Sequence, residues 1–225
     1  EVAQGYKDVK ERSAIVKFKA KDEDAYFLAW TTTPWTLPSN LGLCVNPEVE
    51  YVKIRVGGTV YYLAAALVDA VFEGVDGERE VLATFKGRDL EYRDYEPLYP
   101  YAVGKINKKA FFVVCDDYVT TEDGTGIVHT APAFGEDDNR VCKKYDMPFV
   151  QFVDGKGQMT ADTDWPGVFV KDADPLILKD LKNSGKLFKA PIFEHSYPHC
   201  WRCDTPLIYY ARESWFIRMT AVRDE

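Results

Sequence analysis

The chain lacks an excess of positive charge. Among its 225 residues, 28 lysines and arginines stand against 36 aspartates and glutamates, which gives a net charge of −8. A protein that grips nucleic acid over a wide surface is usually basic. The composition therefore excludes a broad nucleic-acid surface, and any nucleic acid is expected to be held locally or mostly by another part of a larger protein.

Long apolar runs are also missing, and no signal peptide is expected. No stretch approaches the ~20 consecutive apolar residues that cross a membrane. The polar start EVAQGYKDVKER lacks the apolar core of a signal peptide. We therefore expect no membrane partner, and because the sequence does not begin with Met, we expect a fragment of a longer chain.

Cysteines are few, and their number is odd. The chain has five, at Cys44, Cys115, Cys142, Cys200 and Cys203. The first three lie in apolar stretches, which disfavours a secreted disulfide framework and favours a reducing compartment. We expect a cytoplasmic protein in which only the last two cysteines have the spacing of metal ligands.

Apolar periodicity predicts a mainly β chain. Alternating or continuous apolar runs predict strands over 14–19, 25–30, 51–56, 59–63, 110–114 and 149–153. The Gly57-Gly58 pair between two of these runs is typical of a hairpin turn. The expected fold is mainly β with peripheral helices, built as a closed or nearly closed barrel.

Three helices are predicted at the rim of this barrel. They cover 64–72, 135–145 and 175–184, and Asp174 is expected to cap the last of them. From His195 onward the sequence becomes a small loop-rich module. We therefore divide the chain into a domain over 1–194 and a segment over 195–225 that contains a Cys-x-x-Cys motif.

The first chemically distinctive segment is WTTTPWTLPSN over 30–40. It directly follows an apolar strand, and Pro34 and Pro38 stop that strand and stiffen the turn. Its hydroxyls and its carboxamide both donate and accept hydrogen bonds, so they can orient a water molecule or an ester carbonyl. The alternative is a polar β-turn held by local side-chain bonds.

The second segment is GTGIVHTAPAFGEDD over 124–138. Its first glycines permit a tight turn and close backbone approach, and a short strand delivers His129. Asp137 and Asp138 fall in the first turn of a helix, where an aspartate is either a dipole-stabilised surface residue or a carboxylate for an ammonium group. His129 is either structural or part of a site. A serine nucleophile is disfavoured because the sequence has no GxSxG motif.

The third segment is Cys200-Trp-Arg-Cys203, which has the spacing of half a tetrahedral zinc site. One possibility is a local set completed by His195 and His199, although four ligands so close in sequence strain a single site. The other possibility is that two ligands lie upstream of residue 1. A redox motif is disfavoured because no thioredoxin-like pattern surrounds it.

The first two segments together closely resemble the two signature segments of the editing domain of isoleucyl-tRNA synthetases. HSYPHCWRCDTPLIYY, followed by ESWF, resembles the stretch that leads back to the synthetic core, so the resemblance covers essentially the whole chain. Related editing domains of valine and leucine enzymes carry a pattern similar to TTRPxT, and Thr33 and Trp35 favour the isoleucine version. The HIGH and KMSKS motifs of aminoacylation do not occur in the sequence.

The resemblance implies roles for individual residues. Thr33, Asn40 and Asp138 would be catalytic, and Asp138 would also bind the α-ammonium of the misattached amino acid. His129 would reject isoleucine. The editing pocket would be lined by Thr31, Thr32, Thr33, Trp35, Thr36 and Asn40. Editing would require no cofactor, whereas the full-length parent could hold zinc with Cys200 and Cys203 as half of its site.

The implied activity is post-transfer editing, the hydrolysis of valine from mischarged tRNA(Ile). The implied partners are the 3′ end of tRNA(Ile) carrying valine and the rest of the parent synthetase chain. A monomer is expected, since an editing domain normally projects from a larger chain. One rival is an RNA-binding β-barrel without chemistry, which the acidic charge and the lack of Lys/Arg–aromatic interleaving disfavour. Another is a structural zinc module.

Overall fold

The computed structural model describes residues 5–222, and these are mainly β. The strands in chain order are β1 (Tyr6–Arg12), β2 (Ala14–Lys19), β3 (Ala25–Thr31), β4 (Gly42–Val45), β5 (Glu50–Val56), β6 (Thr59–Ala64), β7 (Arg79–Lys86), β8 (Phe112–Cys115), β9 (Ile127–Thr130), β10 (Leu187–Lys189) and β11 (Ile192–Pro198). The α-helices are α1 (Val68–Val71), α2 (Glu136–Lys144), α3 (Val170–Asn183) and α4 (Met219–Val222), and 3-10 helices span Pro34–Ser39, Ala65–Leu67 and Gly87–Leu90. Within this described part, no helix is both long and apolar enough to cross a membrane.

The main sheet forks at β3. Along one edge β3 pairs antiparallel with β2, which in turn pairs with β10. Along the other edge, the beginning of β3 pairs in parallel with β6, whereas Trp30 near its end pairs in parallel with Val128 of β9. One branch continues from β6 to β5 and β7, and the other from β9 to β4 and β8. The sheet curls as a half-barrel, which confirms the predicted mainly β fold.

A separate two-stranded ribbon joins the two ends of the described chain. β1 pairs antiparallel with β11, from Tyr6 opposite Pro198 to Arg12 opposite Ile192. The sequence of β1, YKDVKER, has no apolar alternation, so periodicity gave no sign of this strand. The boundary expected at Glu194 falls inside β11, and the division of the chain into two parts stays a prediction.

Several predicted elements are confirmed. β2 and β3 lie where their apolar patterns placed them, and β5 and β6 form the predicted hairpin. Gly57 and Gly58 take positive φ values of 55° and 89° in its turn, a conformation that glycine adopts without steric cost. The run over 110–114 becomes β8, starting at Phe112, and 64–72 becomes a 3-10 turn followed by α1.

The strand predicted over 149–153 is wrong. Within it only Val153 forms an isolated bridge, to Met159. The backbone of this run bonds to parts of the chain outside the sheet instead. The Phe152 amide donates to the Ser39 hydroxyl, and the Phe152 carbonyl accepts from the Thr160 amide. Because these bonds already engage the backbone at Phe152, the run does not join the sheet.

The last rim helix begins earlier than predicted. α3 starts at Val170 rather than at Pro175, and Phe169 precedes it without a side-chain cap. An apolar stripe buries the helix, and its members are Val170, Ala173, Ile177, Leu178 and Leu181. Packing of that stripe extends the helix through Pro175, whose missing amide proton removes one hydrogen bond within the helix. Asp174 is therefore inside the helix, and its predicted capping role is wrong.

Candidate functional site

The two polar segments meet because β3 and β9 are neighbours in the sheet. Trp30 pairs with Val128, and the next residue of β9 is His129. The chain that leaves β3 forms the threonine loop, residues 31–40, most of which is the 3-10 helix Pro34–Ser39. The loop then enters β4, which pairs with β9. This topology sets His129 beside the threonine loop.

A cavity of about 230 Å³ opens at this junction. We term it the threonine pocket. It brings together six of the residues expected from the sequence, namely Thr31, Thr32, Thr33, Thr36, His129 and Asp138. Its remaining walls are Trp30, Val128 and Phe134. The threonine loop supplies one side of the pocket, and the segment around His129 supplies the other.

A larger cavity, of about 600 Å³, lies beside the end of β8 and the turn that precedes β5. Charged side chains dominate it, and several are already paired. Arg88 forms an ion pair with Glu48, and Asp116 forms one with Arg140. The threonine pocket is smaller, but it holds hydroxyls, an imidazole and a carboxylate that has no ion pair within residues 5–222, on a partly apolar wall. Such a convergence of a few polar groups is typical of a ligand site, so we take the threonine pocket as the candidate site.

His129 is held in one orientation and one tautomer. The Asn40 amide nitrogen donates to the Gly42 carbonyl at 2.9 Å and lies 3.2 Å from Nδ1 of His129. On the other side, the Thr36 hydroxyl donates to the Thr33 carbonyl at 2.8 Å and lies 2.7 Å from Nε2 of His129. An amide nitrogen only donates, so its second proton goes to Nδ1 of His129. The Thr36 hydroxyl has given its one proton to a carbonyl, so it must accept from Nε2–H. His129 is therefore the neutral Nε2–H tautomer.

Burial agrees with this assignment. His129 is 6% exposed, and burial lowers its pKa to about 4. Its ring is neutral at pH 7, and its acceptor nitrogen is occupied by Asn40. A general base needs a free acceptor that faces the reacting water. His129 thus forms an uncharged wall of fixed shape rather than a base.

Tyr95 extends this network and was not expected from the sequence. Its hydroxyl donates to Oδ1 of Asn40 at 2.7 Å. The side chain is fully buried, and burial raises the pKa of the phenol well above its usual range. Tyr95 is one of four tyrosines over 92–101, a stretch without a recognisable motif that lies about 55 positions from Asn40. No local signal could have linked the two residues.

Asp138 is the carboxylate of the pocket. It lies in the first turn of α2, where Gly135 is the N-terminal cap. One carboxylate oxygen, Oδ2, accepts from the Ala131 amide at 2.9 Å. Burial raises the pKa of Asp138 to about 6, and within residues 5–222 no lysine, arginine or histidine forms an ion pair with it. A buried carboxylate without a cation is a natural site for an ammonium group.

The threonine hydroxyls form a connected cluster. Oγ1 of Thr33 lies 3.4 Å from Oγ1 of Thr31 and 3.4 Å from Oγ1 of Thr36. The Thr31 hydroxyl also accepts from the Thr33 amide at 3.1 Å. Each hydroxyl is both a donor and an acceptor, so the cluster offers several positions for a bound water or a carbonyl oxygen. The predicted concentration of hydroxyls at one site is thus present.

Two of the expected residues lie behind the pocket rather than on its surface. Trp35 is 2% exposed, and its ring packs edge-on against Phe134 at a centroid distance of 4.9 Å. Asn40 is 4% exposed, and its amide is fully engaged with Gly42, His129 and Tyr95. Neither side chain is among those that line the cavity. Asn40 reaches the pocket through His129.

The GTG turn shapes the rim of the pocket. Gly124 has a φ of +75°, and a Cβ at this position would lie 2.6 Å from the Trp30 ring. Gly126 has a φ of +73°, and a Cβ there would lie 2.4 Å from the Ala64 side chain. Both positions therefore require glycine for conformation and for space. The expected close backbone approach is confirmed, because the backbone at Gly124 packs directly against the Trp30 ring.

Cys200 and Cys203, predicted as half of a metal site, have no further metal ligands beside them in the described residues. Across residues 5–222, no group of three or more His, Cys, Asp and Glu side chains is placed to hold a metal ion. His195 instead faces Glu11 across the ribbon at 3.6 Å, and Nδ1 of His199 lies 3.0 Å from the Tyr197 carbonyl. Two thiols do not complete a tetrahedral zinc site. A zinc ion in a longer parent stays a prediction.

Known proteins resemble this chain over its whole length. It is 56% identical over 227 residues to the isoleucine–tRNA ligase of Clostridium novyi, covering 100% of this chain and 21% of that protein. It is 49% identical over 226 residues to the isoleucine–tRNA ligase of Bacillus thuringiensis, again covering 100% of this chain and 21% of the relative. The chain thus spans about a fifth of the length of these relatives. No family model matches it.

Solved structures share its fold. The editing domain of the P. falciparum cytosolic leucyl-tRNA synthetase matches with a TM-score of 0.62 and 11% identity, covering 80% of this chain and 99% of that chain. GlLeuRS-CP1 matches with a TM-score of 0.61 and 17% identity, covering 80% and 99%. The forked sheet is thus the fold of these domains. The chain is accordingly homologous, from end to end, to a segment of isoleucine–tRNA ligases and has the fold of leucyl-tRNA synthetase editing domains.

Proposed function

We propose that the threonine pocket is a hydrolytic editing site of a tRNA synthetase, and that its substrate is valine wrongly attached to tRNA(Ile). The observation that carries the proposal is the buried, unpaired carboxylate of Asp138 in one cavity of about 230 Å³ with a neutral His129 and the threonine hydroxyls. The names of the relatives and of the structural neighbours support the same function.

Asp138 binds the α-ammonium of the attached amino acid. Its Oδ2 is held by the Ala131 amide, while no cation of the described residues forms an ion pair with the carboxylate. A charge-assisted hydrogen bond from the ammonium supplies the missing partner and fixes the position of the neighbouring ester carbonyl. Because desolvation disfavours an isolated carboxylate and raises its pKa, an arriving cation also stabilises the charged form of Asp138.

Hydrolysis then requires orientation more than a strong base. A water oxygen attacks the ester carbonyl, the bond from the carbonyl carbon to the ribose oxygen breaks, and the water's proton ends on that ribose hydroxyl. An aminoacyl ester is reactive, so a positioned water and a stabilised carbonyl oxygen account for the acceleration. We assign the orientation of the water to Thr33, next to Thr31 and Thr32. Asn40 contributes by holding His129.

Selectivity follows from the shape of the pocket. One methylene in an apolar pocket changes binding by about 1–3 kcal/mol, a general range for which isoleucine enzymes are themselves a standard example. An aminoacylation pocket that fits isoleucine cannot keep the smaller valine out. A hydrolytic pocket that admits valine and excludes isoleucine by size removes this error. His129 is the wall in this proposal, because hydrogen bonds from Asn40 and to Thr36 prevent its ring from moving aside.

The tRNA itself is held mostly elsewhere. The chain carries a net charge of −8, so we propose that it receives only the 3′ end of tRNA(Ile), while the parent synthetase holds the tRNA body. We also propose that the domain acts as a monomer in the cytoplasm. Editing itself needs no cofactor in this mechanism.

The experiment is a deacylation assay. The chain is mixed with valyl-tRNA(Ile) and isoleucyl-tRNA(Ile), and release of each amino acid is followed beside Asp138→Ala. Selective cleavage of the valyl ester and loss of this cleavage in the variant support the proposal. Cleavage that survives in the variant removes Asp138 from the mechanism.

The rival function, RNA binding without chemistry, gives a distinct result. Binding of uncharged tRNA(Ile) with no turnover of either ester, both by this chain and by the parent synthetase, contradicts the editing proposal. Turnover by the parent alone assigns the missing contribution to tRNA contacts outside this chain.

A further inference from the structure

The start of the 3-10 helix in the threonine loop is anchored from outside the loop. Pro34 opens this helix and has no amide proton, and Thr33 precedes it without a side-chain cap. The first free amide of the helix therefore belongs to Trp35. It donates to Oδ1 of Asp174, on α3, at 2.8 Å. A residue 139 positions away thus completes the turn.

The anchor is a buried carboxylate. The Asp174 side chain is 15% exposed, and burial raises its pKa to about 7, with Lys171 opposing this shift. The Lys171 ammonium lies 3.8 Å from Oδ2 of Asp174 and 2.6 Å from Oε1 of Glu11 on the ribbon. The charge of Asp174 is therefore partly balanced, and its other oxygen remains free for the Trp35 amide.

The side chain of Trp35 supplies no hydrogen bond within the described residues. Its indole N–H is buried without a partner in the described part of the chain. Packing against Phe134 holds the ring, whereas the amide bond to Asp174 fixes the backbone. The neighbours of that backbone are the working groups of the pocket, because Thr33 and Thr36 flank it in the same turn.

We propose that Asp174 is a positioning residue of the threonine pocket, which sets the backbone at Trp35 and through it the hydroxyls of Thr33 and Thr36. Asp174 does not line the cavity and does not touch the substrate. Its loss lets the first turn of the 3-10 helix shift, so that Thr36 no longer fixes His129. This inference rests on the proposed function only for its catalytic consequence, since the anchor itself is a property of the free chain.

The first test is spectroscopic and needs no turnover. In isotope-labelled wild-type chain, a through-hydrogen-bond coupling should join the Trp35 amide nitrogen to the Asp174 carboxyl carbon. Asp174→Ala should shift the Trp35 amide signal and the His129 ring nitrogens. Absence of the coupling in the wild type, or unchanged signals in a folded variant, overturns the anchor even if the alanine variant is difficult to obtain.

The second test measures deacylation of valyl-tRNA(Ile). Asp174→Ala should lower kcat about tenfold or more with KM within about threefold, because the reacting groups are misplaced while Asp138 still binds the ammonium. Asp174→Asn keeps an oxygen acceptor for the Trp35 amide and should restore most of the rate. An asparagine variant as slow as the alanine variant contradicts the positioning role.

The matched control lies on the same helix. Asp180 accepts a hydrogen bond from the Tyr99 hydroxyl at 3.0 Å, away from the pocket. Asp180→Ala should leave kcat within about twofold, and a loss equal to that of Asp174→Ala would assign the effect to general loosening of α3. A wild-type chain and parent that hydrolyse no ester refute the proposed function, whereas the coupling at Trp35 still decides the anchor.

Discussion

Nε2 of His129 lies 2.7 Å from Oγ1 of Thr36, although 93 positions separate the two residues in the chain. The Thr36 hydroxyl has already donated its proton to the Thr33 carbonyl, so it can only accept from the imidazole. This one contact fixes which nitrogen of His129 carries the proton. It also keeps the ring against the threonine loop, where it can limit the size of a bound side chain.

Thr36→Val should therefore relax selectivity. The change removes the acceptor for Nε2–H with little change in volume, so the imidazole can move and admit the larger ester. We expect hydrolysis of isoleucyl-tRNA(Ile) to rise about tenfold or more relative to the valyl ester. Parallel deacylation rates on the two esters measure this. Thr163→Val is the control, because Thr163 is a buried threonine that also donates to a carbonyl three residues earlier; equal effects of both changes would contradict the prediction.

Asp138→Asn should abolish most activity. The neutral amide cannot form an ion pair with the α-ammonium, and loss of one partner of a desolvated charge pair costs about 2–5 kcal/mol, so kcat/KM should fall about thirtyfold or more. Asp137→Asn on the same helix removes only a surface ion pair with Arg140 and should have little effect. Similar losses of kcat/KM in both variants would contradict this prediction. They would assign the effect to the total negative charge at the start of α2 rather than to the carboxylate in the pocket.

The KM for the valyl ester should depend on pH. Burial raises the pKa of Asp138 to about 6, so the carboxylate is charged above this pH and becomes protonated below it. Ammonium binding is lost as the pH falls through 6, and KM at pH 5 should be about tenfold higher than at pH 7. The Asp138→Asn variant should have a flat profile over this range. A wild-type KM without pH dependence would remove the ionised carboxylate from substrate binding.

Acid should destabilise the fold through His129. The folded pKa is lowered to about 4, while the unfolded chain titrates near 6.5, so the unfolded state binds more protons between these values. Stability from the neutral ring is present above pH 6.5 and is lost as the pH falls toward 4, by at most about 3 kcal/mol. Denaturant unfolding of wild type and His129→Gln at several pH values measures the difference.

The comparison of variants is needed because Asp138 and Asp174 act in the opposite direction. Their pKa values are raised to about 6 and about 7, so their protonation favours the folded state as the pH falls. Only the difference between wild type and His129→Gln isolates the imidazole. An equal slope in both proteins would show that His129 is not buried as a neutral ring.

Gly124→Ala should damage the rim of the pocket. The new Cβ would lie 2.6 Å from the Trp30 ring at a φ of +75°, so both strain and a clash oppose it, at a cost of about 1–3 kcal/mol. The free energy of unfolding and the tryptophan fluorescence should both change. Gly155→Ala, where a Cβ meets nothing within 4 Å, should change neither.

Local patterns predicted much of the fold because their causes are local. The continuous apolar run of β3 and the Gly57-Gly58 turn depend on neighbouring residues, and both are as predicted. The charged strand β1 could not be predicted, since it exists only because β11 pairs with it. The start of α3 was missed for a related reason, because burial of Val170 and Ala173 extends the helix beyond its apparent signals.

Local sequence patterns are enough to identify the segments with distinctive chemistry and the side chains that they offer. These segments are the threonine loop, the strand that delivers His129, and the helix start at Asp138. The tertiary structure alone decided how these groups are used. It placed Asn40 behind His129, brought Tyr95 to its amide, and set Asp174 on the Trp35 amide. Protons and buried charges are positioned by partners distant in the chain, and no local pattern records those partners.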